Sequence, residues 1–267
     1  MQALIQNKRA LYLIFGVTIF NLLLNNWSIS LWDQDESAYA GFAHNMRKTG
    51  NWVVPEFDWS EPHRKTPLHF WAIAGSNWLF GENEFATRFS SVVALLLSGL
   101  LLFLMGKNLF GRDTALLAAL LMLGSLFLPT LAKIGLTDAA LLFFETGAAL
   151  ALLNFMQTRA WKWTLLLWLF VSGGIMVKGP PVLILVIGMS GMLFLFHPKR
   201  WRLVHLHPWF FIPLALLPLY LWGNAAWEAD GGVFITWLID WYILKRVSGN
   251  VFGQTGPPGV QHMFCTF

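Results

Sequence analysis

The sequence predicts an all-α integral membrane fold, and three observations point to it. Hydrophobic residues make up 56% of the 267-residue chain and charged residues only 12%, with a mean hydropathy of +0.56; a soluble domain carries about a quarter charged residues. Apolar runs long enough to span a bilayer, roughly 20 residues each, recur along the chain. The 15 Trp and 23 Phe gather near the ends of these runs, as interfacial aromatic anchors do. Helices follow because a segment in lipid must satisfy its own backbone groups.

About seven runs qualify as spans. They cover Ala10–Leu31, Phe89–Met105, Thr114–Leu131, Ala139–Met156, Trp161–Val177, Pro181–Phe196 and Pro208–Trp222. The fifth and sixth meet at Lys178-Gly179-Pro180-Pro181, which reads as a tight turn. Pro213 and Pro218 inside the last run predict a kinked helix. Residues 1–31 also have the basic start and apolar centre of a signal peptide, but no small-x-small cleavage site precedes Trp32, so they are expected to remain as the first span.

A net charge of +4 does not mark a nucleic-acid binder here, because the bases sit in small groups between apolar runs. Lys8 and Arg9, Lys107 and Arg112, Arg159 and Lys162, and Lys199, Arg200 and Arg202 all fall on one side of the expected topology. The positive-inside rule makes that side cytoplasmic, with the N-terminus inside and the long segment 32–88 outside. A lone cysteine, Cys265, excludes an intramolecular disulfide framework and a cysteine-rich metal site.

Segment 32–88 carries the most informative chemistry. Asp33-Gln34-Asp35-Glu36 opens a pattern that continues through Phe42, Ala43 and Met46 until Gly50 ends it, predicting an amphipathic helix on the membrane surface. Asp33 and Glu36 suit an N-terminal cap. Asp35 is surplus to capping, and a carboxylate at a membrane edge wants a partner or a task. Further on, Glu61-Pro62-His63-Arg64-Lys65-Thr66-Pro67-Leu68-His69 forms a basic step suited to a lipid phosphate, either specifically or by snorkelling. His63 and His69 are six apart and lack the spacing of a helical zinc pair. On the same side, Thr137 or Asp138 either caps the fourth span or serves a site. Lys178 either snorkels outward or reaches the anion that Lys65 would hold. Glu145, seven residues beyond Asp138, is expected to face protein.

Three strings together carry a family resemblance: Asp33-Gln34-Asp35-Glu36-Ser37-Ala38-Tyr39-Ala40, Thr49-Gly50-Asn51-Trp52-Val53-Val54-Pro55 and Lys65-Thr66-Pro67-Leu68-His69-Phe70-Trp71. Followed by Leu136-Thr137-Asp138 and Lys178-Gly179-Pro180, they make the chain resemble the bacterial dolichyl-phosphate-mannose-protein mannosyltransferase family, in particular its aminoarabinose-transferase branch. The resemblance implies a C-type glycosyltransferase fold, with juxtamembrane helices in the first external loop. It also implies sugar transfer, with inversion, from a polyprenyl-phosphate donor to lipid A, another glycan or protein at the periplasmic face of the bacterial inner membrane. Asp35 would then be the catalytic base and Asp138 a second acidic residue of the catalytic site. Glu36, Tyr39, Arg64, Lys65 and Lys178 would bind substrate.

Some relatives hold a divalent metal beside this site. Here Arg64-Lys65-Thr66-Pro67 replaces the family's acidic residue followed by Lys-Pro-Pro, leaving Glu61 as a substitute ligand, and Gln254 stands near a common histidine. Relatives continue beyond Pro257-Pro258 with further spans and an external domain, so residues 253–267 read as a truncated or frame-altered tail. A transporter or lipid flippase is the alternative activity, but it would place its charges near the midplane, where only Glu145 qualifies. An inactive remnant of the transferase is the other alternative.

Overall fold

A computed structural model describes residues 8–32, 34–56 and 65–240 of the chain. All regular structure among them is helical. The chain divides into two units, Met1–Leu221 and Trp222–Phe267. In the second, Trp222 meets Phe234 edge-on at 5.9 Å, and the Asp230 carboxylate accepts the N–H groups of Gly232 and Phe234.

Helix α1 covers Lys8–Leu23 and ends well before the expected Leu31, with Asn25 in a left-handed conformation (φ 64°). Helix α2, Gln34–Thr49, stops at Gly50 as the sequence predicts, since Gly50 takes a φ of 74° that suits glycine. Its apolar face is not spread on a membrane surface. Tyr39, Phe42, Ala43 and Met46 are buried against Phe70, Ile73 and Ala74 of α3, Leu68–Phe80.

Helix α4, Glu84–Phe110, starts on an Asn83 cap whose side chain accepts the Ala86 N–H at 2.8 Å. The expected third span is broken. Helix α5, Arg112–Leu123, ends at Gly124, and a separate turn, α6, covers Leu128–Leu131 with Pro129 buried at its start. Proline cannot donate to a continuing helix, so the run splits there.

Helices α7, Thr137–Thr158, and α8, Trp161–Lys178, pack as an antiparallel hairpin. Glycine in each accepts an aromatic ring from the other. A Cβ on Gly147 would stand 2.5 Å from the Phe170 ring, and one on Gly173 would stand 2.0 Å from that of Phe144. Asn154 ties α7 to α4 by donating to the Met105 carbonyl at 3.1 Å. Arg202 donates to the Met156 and Gln157 carbonyls at the far end of α7.

The Lys178 to Pro181 step is the tight turn expected. Helix α8 ends at Lys178, Gly179 adopts φ 79°, and α9, Pro180–Phe196, opens with proline in its first turn. Helix α10, Pro208–Asp230, continues through both Pro213 and Pro218. A last short helix, α11, covers Val233–Ile239.

Among the described residues three helices, α4, α7 and α10, are long and apolar enough to cross a membrane; Tyr12–Leu23 and α9 are apolar but shorter. Of the other expected spans, the first ends early, the third breaks, and the fifth and sixth form continuous helices, α8 and α9, of 18 and 17 residues. Exposed faces of the bundle stay apolar, as with Ile184, Ile187 and Phe196 on α9, each at least 69% exposed. Such faces suit lipid as solvent.

Candidate active site

Two acid–lysine pairs form the centre of the site, and both lie in the first unit. Asp35 sits in the first turn of α2, and its carboxylate lies 3.9 Å from the Lys65 ammonium. Lys65 also donates to the Tyr39 hydroxyl, one turn along the same helix. Tyr39 is itself fully buried, held by Phe70 at 5.2 Å and edge-on by His69 at 5.8 Å. Its ring therefore serves as a wall, and its oxygen aims the lysine.

The second pair joins α7 to α8. Asp138 accepts a 2.6 Å bond from Lys178. This overturns the capping alternative, because Leu136 occupies the cap position of α7 and no side chain caps it. The antiparallel hairpin brings the first turn of α7 beside the last turn of α8, so residues 40 apart meet. Lys178 thus faces a counter-charge rather than snorkelling alone. Glu145 lies half-buried further along α7, near enough to feel both members of the pair.

Thr66 and His69 connect the two pairs. Next to Lys65, Thr66 donates to the Ile175 carbonyl in the last turn of α8 at 3.3 Å. His69 is buried and donates from Nε2 to the Gly135 carbonyl at 3.0 Å. Since a carbonyl only accepts, Nε2 carries the proton and Nδ1 a lone pair; that Nδ1 has no hydrogen-bond partner among the described residues. Burial pushes the imidazole from 6.5 down to about 4. The Gly135 bond opposes this, while the charges of Lys65 and Lys178 add to it and Asp138 works against them. The Thr66 and His69 bonds are the geometric links between the two pairs.

Glu36 differs from the role that the resemblance implies. It is fully buried and cannot meet a substrate from solution. Its carboxylate accepts from Arg88 Nε at 2.8 Å and Nη2 at 3.1 Å, from the Gly135 N–H at 2.7 Å and from the Trp32 N–H at 2.8 Å. Arg88 spends its other donors on the Asn26, Ile29 and Ser30 carbonyls. The sequence reading missed Arg88, His69 and Gly135 as site-forming residues. Its available signal was an arginine set against an apolar helix, which needs a buried acid somewhere.

Asp33, Glu61, His63, Arg64 and Gln254 lie outside the described residues, as does the tail 253–267. Among the described residues no three potential metal-ligating side chains converge.

Taken together, the helical hairpin and the two acid–lysine pairs gather two carboxylates and two ammonium groups in one candidate site. Residues 64–227 match the family model described as dolichyl-phosphate-mannose-protein mannosyltransferase. A relative from Yersinia pestis strain Pestoides F, "Undecaprenyl phosphate-alpha-4-amino-4-deoxy-L-arabinose arabinosyl transferase", is 29% identical over 163 residues, 61% of this chain and 29% of its own length. One of the same description from Pectobacterium atrosepticum is 29% identical over 184 residues, 67% of this chain and 33% of its own.

Among solved structures, ArnT from Cupriavidus metallidurans superposes with a TM-score of 0.75 at 19% identity, covering 87% of this chain and 43% of that one in the apo state. Its undecaprenyl phosphate-bound form gives the same score over 86% and 44%. The chain belongs to the dolichyl-phosphate-mannose-protein mannosyltransferase family. It has the C-type glycosyltransferase fold of a multi-pass inner-membrane protein, and it spans about a third of the length of the curated relatives it matches.

Proposed function

We propose that this chain catalyses sugar transfer from a polyprenyl-phosphate carrier to a hydroxyl of an acceptor such as lipid A, another glycan or protein, at the periplasmic face. The observation that carries the proposal is the two acid–lysine pairs, Asp35 with Lys65 and Asp138 with Lys178, whose chain segments at one end of the bundle are joined by the Thr66–Ile175 and His69–Gly135 bonds. Placement of that end outside rests on the basic loops at the opposite end.

In the proposed reaction the acceptor oxygen attacks the anomeric carbon and its proton passes to the Asp35 carboxylate. The bond from that carbon to the phosphate oxygen breaks, and its electrons leave with the polyprenyl phosphate. Lys65 and Lys178 stabilise that charge, and Arg64, the preceding residue in the sequence, is a further candidate cation. Attack opposite the leaving group inverts the anomeric configuration. Asp138 holds Lys178 ready for the phosphate. No step is drawn through a metal ion.

The test is transfer of labelled sugar from a polyprenyl-phosphate donor in proteoliposomes, comparing the chain with Asp35→Asn. A general base contributes roughly 10²- to 10⁴-fold, so the variant is expected to lose activity by about that factor. Equal rates, or a product of retained configuration, would refute the assignment.

A further inference from the structure

We infer that His69 is a positioning residue, whose Nε2–H holds the Gly135 carbonyl and so fixes the turn that delivers Asp138 to Lys178. The inference rests on the reading of Asp138 and Lys178 as part of a transfer site. It goes beyond that reading because it concerns a residue that touches neither charge pair.

The turn before α7 lacks the usual local anchor. No side chain caps the helix, and the Thr137 hydroxyl is buried without a hydrogen-bond partner among the described residues. Its position is set from outside. Asn26 donates to the Ala132 carbonyl at 3.1 Å, Ser91 to that of Ile134 at 3.0 Å and His69 to that of Gly135 at 3.0 Å. The N–H of Gly135 goes to Glu36 at 2.7 Å. Gly135 is thus clamped on both sides of its α-carbon. It also has no room to shift toward its neighbours, since a Cβ there would lie 2.8 Å from the Thr87 methyl and 3.2 Å from the Thr87 carbonyl.

Of these anchors, only His69 lies on the segment that carries Lys65, four residues away. Its bond therefore couples the Lys65 half of the site to the Asp138 half, three residues beyond Gly135. Histidine suits the position for two reasons. The ring reaches the carbonyl from a buried helix start, and it remains neutral where an arginine or lysine would add a third cation to Lys65 and Lys178.

The test compares the full chain with H69L, which removes the donor, and H69Q, whose amide restores a donor near the Nε2 position. Two readouts are taken on folded protein: hydrogen exchange of the 133–138 amides, and kcat and KM for labelled sugar transfer. H69L is expected to raise exchange in that segment about tenfold or more, through loss of a buried hydrogen bond. It should lower kcat by a similar factor with acceptor KM within about twofold, and H69Q should restore both. If H69L does not accumulate folded, H69N takes its place, because its shorter amide stops at the Nδ1 position.

Unchanged exchange in 133–138, or H69Q behaving like the donor-less variant, would overturn the inference. A wild-type chain that transfers no sugar would instead remove the transfer reading. In that case the exchange comparison still decides the role of His69.

Discussion

Replacing Arg88 by methionine tests the most heavily bonded group of the site. The guanidinium is almost fully buried and gives two bonds to Glu36 and one each to the Asn26, Ile29 and Ser30 carbonyls. Methionine keeps much of the volume and removes every donor. Glu36 would then be a buried carboxylate facing only the Trp32 and Gly135 N–H groups, and three carbonyls would lose a donor. Breaking a buried pair from one side costs about 3–5 kcal/mol. For a chain of this size that corresponds to a fall in Tm on the order of 10 °C. The double variant Glu36→Gln, Arg88→Met should recover part of the loss, because no charge is stranded; contacting residues couple by about 0.5–3 kcal/mol. Thermal unfolding in detergent, with both single variants, supplies the full cycle. A single variant within 1 °C of wild type, or strict additivity in the double, would refute the view of Glu36–Arg88 as the strut between α2 and α4.

Gly135→Ala is expected to cost about 1–3 kcal/mol by overpacking against Thr87, and adding Thr87→Ser, which removes the methyl in closest approach, should restore part of it. Stability should also fall on acidification because of His69. Its pKa is about 4 folded against 6.5 ordinarily, so between those values the unfolded chain binds more protons and stability rises with pH. From neutral pH down to 4, His69 alone should remove about 3 kcal/mol, a dependence that His69→Gln should flatten in unfolding curves from pH 4 to 7. A slope unchanged by that substitution would rule out His69 as its source.

Local features were legible in the sequence wherever one residue's chemistry decides the outcome. Gly50 ends α2 and Gly179-Pro180 turns α8 into α9, because each position demands a backbone that few other residues adopt. Counting spans puts Asp35, Lys65, Asp138 and Lys178 on one side, and the fold pairs Asp35 with Lys65 and Asp138 with Lys178. What stayed hidden was pairing at a distance. Glu36 reads as a cap or a ligand until Arg88, 52 residues on, is seen to bind it. Asp138 reads equally well as a cap until the hairpin sets it against Lys178. Hydropathy likewise overran α1 and the third run, since an average over many residues does not register Asn25 turning the chain or Pro129 starting a new turn. The apolar side of α2 showed that it would be covered, but not by what; α3 supplied the cover.

The reciprocal seating of Phe170 on Gly147 and Phe144 on Gly173 bears on how the site handles charge. These rings lie within the hairpin and involve no ionic partner, so they act as a ruler that sets the phase of α7 against α8 before any electrostatics enter. The register of α7 against α8 is therefore set by sterics, while the turn that carries Asp138 is held separately from outside the hairpin. In the proposed reaction, an incoming phosphate that drew Lys178 off Asp138 would leave both helices in register, and the lysine would trade one anion for another by side-chain rotation alone. Little backbone reorganisation is then spent on each exchange.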